Sequence, residues 1–113
     1  MRKSDTDVVT VLQALAEPTR WRAVELLSVS PRRAGALSQA LGVAPPAMSK
    51  HLRVLLEAGV VTDERTSDDA RARVFRLRPE SVVALRARLD QLQSHWDEQL
   101  AAFQAHVTKE IRR

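Results

Sequence analysis

Apolar side chains recur at spacings of three and four residues through most of the chain, and the breaks in that rhythm divide it into helices. Val8, Val11, Leu12 and Leu15 define an amphipathic helix over Asp5 to Ala16, with Asp5 or Thr6 as its cap. Glu17-Pro18-Thr19 interrupts it. Proline suits the first turn of a new helix, and Trp21, Val24 and Leu27 form the apolar stripe of this second one, which ends near Ser28 to Pro31. A short apolar segment, Leu37 to Leu41, stops at Gly42. The next helix opens at Pro45, turns Met48, Leu52 and Leu55 inward, and ends at Gly59. From Val60 the period changes. Val60 to Arg65, a polar turn at Thr66 to Ala70, and Arg71 to Arg78, where Arg73, Phe75 and Leu77 alternate with Ala72, Val74 and Arg76, predict a two-stranded hairpin. Pro79 closes that strand and opens a long last helix, about residues 80–111.

The last helix carries more apolar surface than one small domain can cover. Val82, Leu85, Leu89, Leu92, Trp96, Leu100, Phe103, Val107 and Ile111 follow one another at three- and four-residue spacing. A helix of about 30 residues is roughly 45 Å long, so much of the stripe needs another surface, most economically the same helix of a second copy. Val8, Leu12 and Leu15 would join Leu92, Trp96, Leu100, Phe103 and Val107 in that interface. Trp21 and Trp96 lie in apolar stripes and are read as packing residues.

At 113 residues the chain is expected to be a single domain with one modest core. Eighteen basic against fourteen acidic residues give a formal net charge of +4, which directs attention to a polyanionic partner. The absence of cysteine excludes disulfides, thiolate metal sites and thiol nucleophiles, and fits a reducing compartment. No apolar run reaches a membrane span and the N-terminus lacks a signal-peptide core, so a cytoplasmic protein without membrane association is expected. No catalytic spacing of serine, histidine and carboxylate and no phosphate-binding loop is present, which argues against an enzyme.

Two short helices separated by a glycine-containing turn make a helix-turn-helix, whose second helix can enter a DNA major groove. With the hairpin and the last helix, the order is that of a mainly α winged helix-turn-helix dimerising through its terminal helices. The sequence here resembles the ArsR/SmtB family of bacterial transcriptional regulators. Leu15-Ala16-Glu17-Pro18-Thr19-Arg20 is similar to the family's L-A-[DE]-P-T-R motif, and Leu37 to Leu56 (LSQALGVAPPAMSKHLRVLL) to its helix-turn-helix, including S-x-H-L-x-V-L. Glu57-Ala58-Gly59-Val60-Val61 matches the turn into the wing, and Val74-Phe75-Arg76-Leu77 the returning strand. The resemblance implies a homodimeric repressor that binds an imperfect operator palindrome in double-stranded DNA.

The residues themselves agree with that implication. Pro46, Ser49, Lys50 and Arg53 lie opposite Met48, Leu52 and Leu55 and offer hydroxyl and basic groups to phosphates and base edges. Arg32 and Arg33 extend a stretch that holds no acid before Arg53. In the wing, Asp68-Asp69-Ala70 stands where the family has a glycine turn, so Arg71 and Arg73 on the strand are the expected DNA contacts. Arg20 is read as holding a helix start, and His51, at the edge of the apolar stripe, is open to packing within the domain or to a base contact.

The resemblance also raises a metal site on the last helix, where some members hold zinc, cobalt or nickel through an aspartate, two histidines and a further His or Glu. His95 and His106 share one face but stand roughly 16 Å apart along the axis, so only two antiparallel copies could bring them together, with Glu110 one turn beyond His106. Gln93 and Lys109 occupy the other ligand positions. Three readings follow: a DNA-binding regulator, a nickel- or zinc-responsive version of it, and a winged-helix protein-interaction module without DNA.

Overall fold

The computed structural model describes residues 3–65 and 72–112 in the order α1 (Lys3–Leu15), α2 (Pro18–Val29), β1 (Arg32–Arg33), α3 (Ala34–Leu41), α4 (Pro45–Glu57), β2 (Val61–Arg65), β3 (Arg73–Leu77) and α5 (Pro79–Ile111). The fold is mostly helical, with a small antiparallel sheet in the order β1-β3-β2. The expected turn at Thr66 to Ala70, and Arg71, lie outside the described residues.

Four helices and the sheet contribute to one core. Val11 and Ala14 of α1, Ala23 and Leu27 of α2, Leu37 of α3 and Met48, Leu52 and Leu55 of α4 meet Val60, Val61 and Phe75. Each fully buried leucine or methionine in such a cluster contributes roughly 1.5–3 kcal/mol of transfer free energy. Leu15, Val24, Leu41, Leu56, Leu77 and Leu85 close its edges.

The breaks between helices follow their residues. Pro18, Pro45 and Pro79 all stand in the first turn of a helix, where the missing N–H costs nothing and φ is already helical. α3 ends on Gly42 in the left-handed region, φ 65° and ψ 35°, and Val43 N–H then donates to Ser38 O at 3.0 Å. This sharp reversal sets α4 across α3. At the far end of α4, Val60 N–H donates to Leu55 O at 3.0 Å while Gly59, at φ 77°, turns the chain into β2.

Four expectations change. α1 begins at Lys3, so Asp5 and Thr6 lie inside the helix instead of capping it; no breaker precedes them to stop the helix sooner. In α2 the inward line runs through Ala23 and Leu27, and Trp21 is 51% exposed. Ala23, fully buried, lets neighbouring helices approach closely, and its small side chain carries too weak a hydrophobic signal to outweigh a tryptophan in the pattern. The sheet has three strands, where a two-stranded hairpin was expected, because Arg32 and Arg33 pair with Phe75 and Val74 of β3. A two-residue strand between a proline and a helix has no period to betray it. Finally, Leu15 of α1 packs on its own core, and Val8 is half-buried, whereas Leu12 and the unremarked Val9 are exposed.

Gly42→Ala places a Cβ at φ 65°, a conformation that costs an L-residue about 1 kcal/mol. We expect a denaturant midpoint lowered accordingly with an unchanged m-value, read by circular dichroism in urea.

Candidate nucleic-acid interface

α4 has one inward face and two flanks. At 100° per residue, Met48, Leu52 and Leu55 point into the core, which sends Pro46, Lys50 and Arg53 to the opposite side, where all three are exposed. Ser49, also exposed, lies on the flank towards β1 and α3, and His51 on the other flank, towards the corner between α1 and α2. The start of α4 has no side-chain cap, and Pro45 and Pro46 there carry no N–H. Arg33 is exposed and Arg32 half-buried on β1. No ion pair among the described residues engages Arg32, Arg33, Lys50 or Arg53.

The flank opposite Ser49 is fixed by a polar junction. The Glu17 carboxylate caps α2 by accepting the Arg20 backbone N–H at 2.9 Å. The Arg20 side chain runs back along the chain, its Nε donating to Ala14 O at 2.6 Å and a terminal nitrogen reaching Gln13 O at 3.5 Å. These are carbonyls of the last turn of α1, which have no partner within the helix. The other terminal nitrogen of Arg20 lies 3.4 Å from His51 Nδ1, which is itself 3.7 Å from the Glu17 carboxylate. Three helices therefore share one junction. The Arg20 side chain thus holds the end of α1, not a helix start, and His51 lies within the domain; the capping role of Glu17 was not read. An acid immediately before Pro-Thr-Arg, with an arginine three residues on, was the available signal.

Burial raises the Glu17 carboxyl pKa, but the backbone N–H groups of Arg20 and Thr19 and the positive charge of His51 and Arg20 outweigh it and hold the carboxyl below its ordinary value. Its charged form is thus favoured in the folded state.

The wing differs from expectation at Arg73. Its Nε donates to Asp63 at 2.7 Å, a second nitrogen contacts the same oxygen, and the guanidinium lies 5.3 Å from the Phe75 ring centroid. Arg65 stands directly opposite Arg73 in the sheet, and like charges so placed repel; Asp63 relieves that repulsion and occupies the group expected to touch DNA. Arg76 lies 3.6 Å from Glu64. Arg71, the other expected wing contact, lies outside the described residues. Among the described wing residues, Arg65 is exposed.

Residues 9–63 match the model of bacterial regulatory proteins of the arsR family. A helix-turn-helix-type transcriptional regulator of Mycobacterium tuberculosis, Rv2034, is 37% identical over 98 residues, covering 87% of this chain and 86% of that one. The chain belongs to the arsR family. A solved ArsR-like transcriptional regulator from Rhodococcus sp. RHA1 superposes with a TM-score of 0.75 at 25% identity, over 90% of this chain and 93% of the other. The homodimeric winged helix-turn-helix DNA-binding domain of a possible ArsR-family regulator from Mycobacterium bovis shares the fold, with a TM-score of 0.60 at 24% identity over 84% and 82% of the two chains. This ArsR-family chain is accordingly a transcriptional regulator with a winged helix-turn-helix DNA-binding domain, and not an enzyme.

In this regulator α5 has no buried residue along its 33 positions. Leu92, Trp96, Leu100 and Phe103 are exposed, Trp96 at 57% and Phe103 at 64%, and Val107 is only half-covered. His95, His106 and Glu110 are exposed on the same helix, and no group of three metal-ligating side chains forms within one chain among the described residues. Among those residues no helix is long and apolar enough to cross a membrane.

Glu17→Gln keeps a hydrogen-bond acceptor and removes the charge. Because the folded carboxyl is held below its ordinary value, its contribution is full at neutral pH and is lost as the pH falls through the folded value. The variant should be less stable by about 0.5 kcal/mol near pH 7, discounted for partial exposure and salt. The gap should close below the ordinary carboxylate range in urea titrations at stepped pH; a gap independent of pH would refute the electrostatic account.

Proposed function

We propose that the chain acts as a homodimer that binds an operator palindrome with its two α4 helices and represses by occupying the promoter. The observation that carries this reading is the face of α4 bearing Pro46, Lys50 and Arg53, exposed and free of acid partners, with Ser49 beside it and Arg32 and Arg33 on the adjoining strand. Lys50, Arg53 and Arg33 neutralise phosphates, and the hydroxyl of Ser49 and the start of α4 approach base edges. Arg73 is a lesser contributor, since Asp63 already neutralises it.

The dimer follows from α5. Its exposed stripe, Leu92, Trp96, Leu100, Phe103 and Val107, together with Leu12 and Val9 of α1, is more apolar surface than a chain of this size keeps in water. Pairing two copies buries the stripe and presents two α4 helices to half-sites about one helical turn, roughly 34 Å, apart. A nickel- or zinc-responsive form using His95, His106 and Glu110 needs donors from two chains.

Fluorescence anisotropy on duplex DNA from upstream of the protein's own gene, over a salt series, tests the interface. Tight binding should weaken steeply with salt, and Lys50→Ala with Arg53→Ala, which removes four cations from each dimer, should reduce the log–log salt slope by about 3.6. Normal affinity in the double variant would remove these residues from the interface, and salt-independent or absent binding would favour a protein-interaction module. Nickel or zinc added to the same titration changes the affinity only in the metal-responsive form.

Leu100→Glu should convert the dimer to monomer in sedimentation velocity while leaving helical content intact. Persistence of the dimer would place the interface away from α5.

A further inference from the structure

Between β1, the first turn of α3, the Ser49 flank of α4 and β3 lies a cavity of about 1070 Å³. Arg32, Arg33, Arg53 and Arg73 line it, and no aspartate or glutamate does. Asp63 neutralises Arg73, which leaves three positive charges without an ion pair among the described residues. The Nε of Arg32 is buried and has no hydrogen-bond partner, an unfavourable state for a charged donor until an acceptor meets it. α3 starts without a side-chain cap, and its first residues, Ala34, Gly35 and Ala36, border the same cavity. Their N–H groups have no partner within the helix and favour an anion. Of the rest of the lining, Pro31, Leu52, Leu56 and Phe75 are apolar, Leu52 and Phe75 being core residues, while Ser30, Gln39 and Ser49 are polar.

Cationic donors on one side and hydrocarbon on the other select a ligand with both characters. We propose that this cavity binds a small organic anion, a carboxylate carried on an apolar body, and that the bound anion weakens DNA binding by engaging Arg33 and Arg53. The regulatory half rests on the proposed DNA-binding reading; the binding half does not. A DNA phosphate would use the arginines but has no need of Leu52, Leu56 and Phe75, and the volume is that of a small-molecule pocket rather than of a single phosphate group.

Calorimetric titration of the full chain with 3-phenylpropionate, 3-phenylpropanol and inorganic phosphate at low ionic strength tests the site. We expect one carboxylate per chain, with the neutral alcohol and phosphate each at least about tenfold weaker, since each keeps only half of the recognition. Phosphate binding as tightly as the carboxylate would reduce the cavity to a phosphate seat and overturn the proposal, as would no binding by any of the three. A Cβ at Gly35 meets nothing within 4 Å and Gly35 borders the cavity, so Gly35→Leu adds bulk there without changing an arginine. It should fold, by circular dichroism, and lose the carboxylate, with Arg32→Gln, about tenfold weaker, as the second variant. Undiminished binding in both variants would place the ligand elsewhere, for instance on the α5 stripe. In the anisotropy assay, 3-phenylpropionate should release DNA from the wild type and not from Gly35→Leu. Carboxylate binding without DNA release would overturn the regulatory half alone, whereas failure to bind any duplex would defeat the DNA reading and leave the calorimetric result standing.

Discussion

Arg20 does in one side chain what the rest of the architecture relies on. Two helices meet at Ala16 and Glu17, where the last carbonyls of α1 and the first amides of α2 would both lack partners. The Arg20 backbone N–H goes to Glu17, and its guanidinium goes to Ala14 and Gln13 and lies against His51. A positive charge at the C-terminal end of α1 is favourable in its own right. Lysine could supply the charge but not the planar fork that spans two carbonyls and an imidazole at once. Because His51 belongs to α4, the junction that joins α1 to α2 also sets the roll of α4. The burial of Met48, Leu52 and Leu55 fixes which face points inward, and the junction fixes one flank. Lys50 and Arg53 have only solvent left to face.

The same junction bears on the pairing surface. α1 is held by Val11 and Ala14 in the core and by Arg20 at its end, which leaves Val9 and Leu12 outward. Near its start α5 is anchored: Arg78 N–H donates to Val60 O at 2.9 Å, the Ser81 hydroxyl donates to Gly59 O, Leu85 packs on the core, and the helix lies against α1 as far as Gln91. The stripe from Trp96 to Val107 and from Leu100 to Ile111 repeats every eleven residues, close enough to the helical period to stay on one face with little supercoil. A straight apolar face of this kind is suited to pairing with its own copy at a fixed crossing point. The anchoring of α5 at Gly59 and Val60 would then transmit that crossing directly to the C-terminal end of α4.

Much of this was legible in the order of residues. The proline starts of α2, α4 and α5 and the glycine stop of α3 are backbone constraints that hold whatever the tertiary setting, and all lie where they were expected. The outward face of α4 was equally plain, because a three-residue apolar stripe dictates what lies opposite. What failed to show were features decided by pairs of residues distant in sequence. Trp21 was displaced from the core by an alanine whose value lies in close helix approach. β1 exists only because β3 offers it an edge. Arg73 is paired with Asp63, ten residues earlier, in a register that the sequence pattern does not specify.

The distribution of charge, more than its sum, explains what the surface can do. In the wing, acids answer arginines: Asp63 meets Arg73 and Glu64 lies near Arg76. On α4 and β1 no such answer exists for Arg32, Arg33, Lys50 or Arg53. With a net charge of only +4 over the chain, unpaired positive charge is therefore gathered where a helix start and a strand converge. Uncompensated cations repel one another and raise the free energy of the bound-free state, so any polyanion that arrives relieves a cost already present. Because Arg53 belongs both to the outer face of α4 and to the cavity behind it, a ligand on one side necessarily changes the potential felt on the other. Two anions competing for one set of cations need no conformational change to be coupled, and reciprocity requires that DNA weaken the small anion by the same factor that the anion weakens DNA.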